Sequence, residues 1–347
     1  MAKHSRQVAL HRIGLTELRV LSDVESDLAP LIEVEEEVIE KYAASPRWRQ
    51  ETVTLFVLRD LGPLIRQLSP DAALPPGGLG GLNQKPIVNV YDVNNPRSCH
   101  IFVNQSAMLK EGYWGDGELM EGLLAHEHAH PLSECETTRS ARRLRADLST
   151  EAARPLFAPE ERDPGWRTKV ERLLILLVDK LCLYAPREIF ANDLTLASGF
   201  LAALLHLDKK NLANAIAGLR SRGQLQQMLQ QEVEKGSLTP AGANLLLTIG
   251  DMKGYLDLAL ETAPLYRQNR TVEARELEEL VFVEVLPHLE PQVADAYAKL
   301  RDAYVELPED ASPDTLRQWG EALIRILAEV LHEKGLQLGC QLSVISE

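Results

Sequence analysis

Apolar residues recur at spacings of three and four along most of this chain, which is the pattern of amphipathic helices. The stretches "TELRVLSDVESDLAPLIEVEEEVIEKYAA" and "RQETVTLFVLRDLGPLIRQL" both read this way, so residues 1–74 are expected to form an N-terminal helical region. Within it Glu33, Glu35, Glu36 and Glu37 read as a solvated helix face. The run "PPGGLGG", Pro75 to Gly81, is the clearest break. It has neither the Lys-Ser/Thr nor the strand–loop–helix frame of a phosphate-binding loop, so it reads as a linker. The pattern then changes. "IVNVYDV", Ile87 to Val93, and "HIFVNQ", His100 to Gln105, are short and rich in β-branched and aromatic residues, with the turn-forming "NNPRS" between them. They predict a hairpin or two adjacent strands, the one convincing strand signal in the chain. From Asp116 to about Leu336 the helical spacing returns, punctuated by prolines.

The expected fold is therefore mainly α with a small β-sheet (α+β). The expected division is residues 1–74, a core over 82–200 and a C-terminal helical domain over 201–347. That last region carries no catalytic motif.

Composition narrows the function. A formal net charge of -14 argues against gripping nucleic acid or an anionic membrane, because both need a basic surface. The four cysteines, Cys99, Cys135, Cys182 and Cys340, form no Cys-x-x-Cys pair and read as free thiols of a reducing compartment. The first residues lack the continuous apolar segment of a signal peptide. The greasiest run, "LLILLVDKLCLY", is too short to span a bilayer and contains Asp179 and Lys180. A buried core helix and a cytoplasmic protein are expected, with no membrane or nucleic-acid partner.

The chemistry concentrates in "LLAHEHAHPLSE", Leu123 to Glu134. Upstream, Asp116 is placed to cap a helix with Glu118 in its first turn. On that helix Leu119, Leu123, His126 and His130 share one stripe. His126 and His130 then project side by side, as two imidazole ligands to one zinc ion require. Glu127 lies about 100° around from His126, within reach of a water on such a metal. His-Glu-x-x-His is the zincin motif. Zinc with three protein ligands keeps a position for water and lowers its pKa from 15.7 to about 7. Glu127 is then the expected general base for attack on an amide carbonyl. His128 lies about 200° around the helix from both neighbours and reads as a packed or hydrogen-bonded residue on its back. A His-x-His-x-His site on a strand or loop is the rival frame, and the helical periodicity of the preceding residues argues against it. Pro131 disfavours helical geometry in the residue before it, so the helix is expected to end near His130, with a kinked continuation as the alternative.

A third ligand is sought in "YAPREIFANDLTLASGF", where Pro186 can begin a helix and Glu188 and Asn192 fall four apart. Strands, then "HEHAH" at His126–His130, then "EIFAN" at Glu188–Asn192, resemble the gluzincin metallopeptidases. The resemblance covers roughly Lys85 to Phe200. It implies a zincin-like catalytic core flanked by helical regions. It also implies Zn2+ held by His126, His130 and Glu188, Glu127 as general base, and a peptide or protein substrate. The family carries Asp where this chain has Asn192. That side chain orients the first histidine, and Asn192 can do so through its amide oxygen without charge, with Asp193 as a substitute. The strand "CHIFVNQSAML" is a candidate for pairing with substrate backbone, or a plain structural edge. Tyr184, His206 and His288 are candidate oxyanion donors by type. The alternative reading is a helical interaction or scaffold protein with a degenerate or structural zincin core.

Overall fold

Alternation rather than helical spacing governs much of the N-terminal region. In the computed structural model, which describes residues 6–62, 85–93, 95, 97–151, 155–156 and 164–338, three strands stand where helices were expected. They are β1 (Arg6–Ile13), β2 (Thr16–Ser22) and β3 (Thr52–Leu58), and one helix, α1 (Ala29–Ala43), lies among them. The physical reason is legible in β2. Thr16, Leu18, Val20 and Ser22 are buried, while Glu17, Arg19 and Leu21 between them are not, a period of two. Gly14, at φ +57°, sits in the tight turn joining β1 to β2, where a side chain would be strained. The Pro75–Gly81 break lies outside the described residues.

The two strands expected after that break are present as β4 (Ile87–Tyr91) and β5 (Ser98–Asn104), paired antiparallel. With the first three they form a mixed sheet of order β1-β2-β3-β5-β4, in which β2–β3 and β3–β5 are parallel. β5 is thus internal. Hydrogen bonds to β3 and β4 occupy both its edges, so neither the substrate-pairing nor the edge-strand reading of "CHIFVNQSAML" holds. The edge on that side is β4.

One face of the sheet presents Leu18, Val20, Val53, Leu55, Val57, Cys99, Ile101 and Val103, all buried. Next come α2 (Gln105–Glu111) and α3 (Gly117–Leu132). The helix α3 packs against α1 and along β4. α1 buries Leu31, Glu35, Val38, Ile39 and Tyr42, one stripe of a 3.6-residue helix. The Tyr42 hydroxyl donates to the carbonyl of Ala125 on α3 at 2.9 Å. Burial pushes that phenol well above its ordinary pKa, so it stays a neutral donor.

The remaining helices are α4 (Glu136–Glu151), α5 (Pro164–Val178), α6 (Ala185–Ala197), α7 (Leu201–Glu234), α8 (Pro240–Tyr255), α9 (Ala259–Arg267), α10 (Thr271–Leu280), α11 (Pro291–Val305) and α12 (Pro313–His332). The chain divides into two compact units, residues 1–134 with 191–207 and residues 135–190 with 208–347. The first division point after α5 falls inside α6, which is one unbroken helix.

Among its described residues the second unit is helical apart from a two-residue strand pair, Pro155–Leu156 with Gln337–Leu338. Its core gathers Leu174, Leu177, Leu181, Tyr297, Leu300, Tyr304, Leu323 and Leu327. The run "LLILLVDKLCLY" contributes to that core, as expected, through α5 and the π-helical turn Asp179–Leu183 that follows it. The fold is thus mainly α with one small mixed sheet. Among the described residues no helix is long and apolar enough to cross a membrane, and Cys99, Cys135 and Cys182 are free thiols.

Candidate metal centre

Helix α3 starts where its sequence says it should. The Asp116 carboxylate accepts the Leu119 N–H at 3.0 Å and fills one of the donors left over at a helix start. That bond holds the Asp116 carboxyl below its ordinary pKa. Ten residues on, His126 and His130 lie on one face. Their ring centroids are 4.6 Å apart and their planes are at 80°.

Helix α6 brings the other partners. Glu188 and Asn192 are four residues apart on it and so share a face. Asn192 Oδ1 lies 2.6 Å from His126 Nδ1, a hydrogen bond that ties α6 to α3. One turn earlier on α6, Glu188 falls beside the histidine pair. A ligand atom from each of His126, His130 and Glu188 lies within 4.8 Å of the others. No other grouping of three such residues is found among the described residues. The donor set fits a divalent transition metal: two imidazoles and one carboxylate leave a coordination position open. The contact with Asn192 engages Nδ1 of His126 and leaves Nε2 for the ion, the arrangement by which an outer partner fixes a ligand's tautomer and ring angle.

Glu127 sits beside this group, half-buried, with Oε2 3.9 Å from His130 Nε2. The backbone N–H of Asn89, on edge strand β4, donates to the same Oε2 at 3.1 Å. The Asn89 side-chain amide donates to the Glu127 backbone carbonyl at 2.8 Å.

His128 is fully buried on the opposite side of α3, as its angle predicts. Its Nε2 is 2.9 Å from Glu35 Oε1, and its Nδ1 is 3.1 Å from Gln50 Oε1. Glu35 is therefore no part of a solvated face. It occupies the buried stripe of α1 with Leu31 and Val38, while Glu33 and Glu37 are exposed. The helix also outlasts expectation at its far end. It continues through Pro131 to Leu132 and is closed by the Ser133 N–H, which donates to the Ala129 carbonyl at 2.8 Å.

Of the three candidate oxyanion donors, His206 bonds to Asp116 at the start of α3, roughly 15 Å of helix rise from His126. His288 is an exposed residue of a 3-10 turn in the second unit. Tyr184 precedes Glu188 by four residues in the chain. Its hydroxyl accepts a hydrogen bond from Arg187, whose guanidinium stacks 5.1 Å from the ring.

Sequence reasoning passed over Asn89 and read the buried Glu35 as part of a solvated face. A signal existed for Asn89: Ile87, Asn89 and Tyr91 share the inward phase of β4, and a polar residue on that phase needs a buried partner. Compared with models of protein families, with curated proteins and with solved structures, this chain matches none.

Proposed function

We propose that this chain is a zinc-dependent peptidase of gluzincin type. The observation that carries the reading is the convergence of His126, His130 and Glu188 with Glu127 alongside. A zinc ion held by the three residues would polarise a substrate carbonyl and acidify water at neutral pH. Glu127 accepts a proton from the attacking water as its oxygen bonds to the amide carbon. The same carboxyl returns that proton to the amine nitrogen as the C–N bond breaks. Asn192 keeps His126 in one orientation throughout. Tyr184, whose hydroxyl accepts a hydrogen bond from Arg187, is the candidate we carry forward as oxyanion donor, on sequence proximity to Glu188 alone.

Elemental analysis of the purified chain, joined to a peptide-library digest, tests this. About one zinc per chain and cleavage lost in Glu127→Gln with metal retained are expected. A metal-replete preparation with no transition metal, or undiminished turnover by Glu127→Gln, refutes it. Bound zinc with no cleavage of any peptide supports the scaffold alternative.

A further inference from the structure

A proline inside a helix removes one backbone donor, and here the loss lands on the proposed general base. Residue 131 would ordinarily donate its N–H to the carbonyl of residue 127, four positions back. Pro131 has no N–H, so the Glu127 carbonyl is released from the helix ladder while α3 runs on to Leu132. A buried carbonyl left without a partner costs roughly what a lost hydrogen bond costs. Asn89 supplies the partner, its Nδ2 donating to that carbonyl at 2.8 Å. The backbone N–H of the same residue donates to the Glu127 carboxylate at 3.1 Å. Asn89 is buried on the inward phase of β4, so both donors are aimed by the strand. One residue of the sheet therefore grips Glu127 at its main chain and at its carboxylate.

We infer that Asn89 is a positioning residue for Glu127, and that Pro131 is its counterpart, vacating the carbonyl that Asn89 fills. The inference rests on the peptidase reading for its kinetic consequence and on nothing but geometry for the contact itself. Both donors of Asn89 engage Glu127, so its role is assigned to the base. The backbone donor fixes the orientation of the Glu127 carboxylate through one of its oxygens. The side-chain donor stops residue 127 from turning about the helix axis at the point where the ladder is broken. The remaining amide oxygen of Asn89 is buried with no hydrogen-bond partner among the described residues. Truncating the side chain to alanine therefore also removes an unmet acceptor, which offsets part of the stability lost with the bond.

Two measurements on the full chain test this. In kinetics, Asn89→Ala is expected to lower kcat about 10-fold or more, with KM and bound zinc unchanged, as loss of an outer partner does elsewhere. Pro131→Ala restores an N–H four residues after Glu127, so in that background the kcat penalty of Asn89→Ala is expected to shrink. A residue serving only the stability of β4 would show the same penalty in both backgrounds. In amide exchange, the Asn89 N–H of the unmutated chain is expected to be protected, and Glu127→Ala is expected to speed its exchange about 10-fold or more.

If the unmutated chain cleaves and Glu127→Gln does not, the peptidase reading stands. Unchanged kcat in Asn89→Ala, or an equal penalty with and without Pro131, then overturns this inference alone. An Asn89 amide whose exchange ignores Glu127→Ala also overturns it, whatever the activity. If the unmutated chain neither binds zinc nor cleaves, the peptidase reading fails and the positioning role falls with it.

Discussion

Asn192→Ala isolates the contact that ties α6 to α3. The Asn192 Oδ1 to His126 Nδ1 distance is 2.6 Å, and Asn192 is only 7% exposed, so no bulk water stands ready to replace the lost acceptor. Partners of this kind typically contribute 10- to 100-fold in metal affinity. At about 1.4 kcal/mol per tenfold, that is roughly 1.4–2.8 kcal/mol of zinc binding. The same loss appears as stability. Zinc at about 100 times its dissociation constant protects the fold by about 2.7 kcal/mol, and a tenfold weaker site gives up about half of that at the same zinc concentration. Competition against a chromophoric chelator gives the affinity, and thermal melts with and without zinc give the linked stability. Asn192→Asp runs the other way: a charged acceptor forms a bond about twice as strong, so zinc should bind more tightly than in the unmutated chain. The reasoning is refuted if Asn192→Ala binds zinc as the unmutated chain does, or if Asn192→Asp binds it more weakly.

Further predictions concern the frame around that site. At Gly122, one turn before His126, an added Cβ would stand 2.7 Å from the Ala203 carbonyl oxygen and 3.2 Å from Leu207 Cβ. Gly122→Ala is expected to lose about 1–3 kcal/mol in urea unfolding despite alanine's better helix propensity, and a gain in stability would show that α7 yields freely. Glu35→Ala leaves the buried His128 short of a hydrogen-bond partner and is expected to cost about 1–3 kcal/mol, part of it recovered in the Glu35→Ala, His128→Leu double variant. No recovery would mean that packing, not the pair, sets the cost. Asp116→Ala is expected to cost about 1 kcal/mol at neutral pH. Because the Asp116 carboxyl titrates below its ordinary range in the folded chain, its contribution is complete above that range and fades as pH falls through the lowered value. Denaturation curves whose gap between unmutated chain and variant persists unchanged into strong acid would contradict the cap.

The candidate ligands were legible because helices make spacing into geometry. His126 and His130 four apart, and Glu188 and Asn192 four apart behind a helix-starting proline, declare two faces, and the structure brings those faces together. The N-terminal strands were masked by their own composition. In "TELRVLS" the alternation of Leu18 and Val20 with charged residues is only seven residues long, and it runs into the helical spacing of α1. The turn at Gly14 was the sign to weigh against it. Glu35 was hidden by company: it sits among Glu33, Glu36 and Glu37, and only the phase of Leu31, Val38 and Tyr42 marks it as the inward one. Asn89 needs the tertiary structure, because its partner is a carbonyl that a proline 42 positions later sets free. That dependence between β4 and α3 has no local periodicity to betray it.

The account turns on Glu127 acting as a base beside zinc, and one comparison addresses this most directly: hydrolysis of a peptide library by the unmutated chain and by Glu127→Gln, both loaded with one zinc per chain. The prediction is cleavage by the first and loss of cleavage by the second at equal metal content. Equal cleavage by both, or none by either, would contradict it.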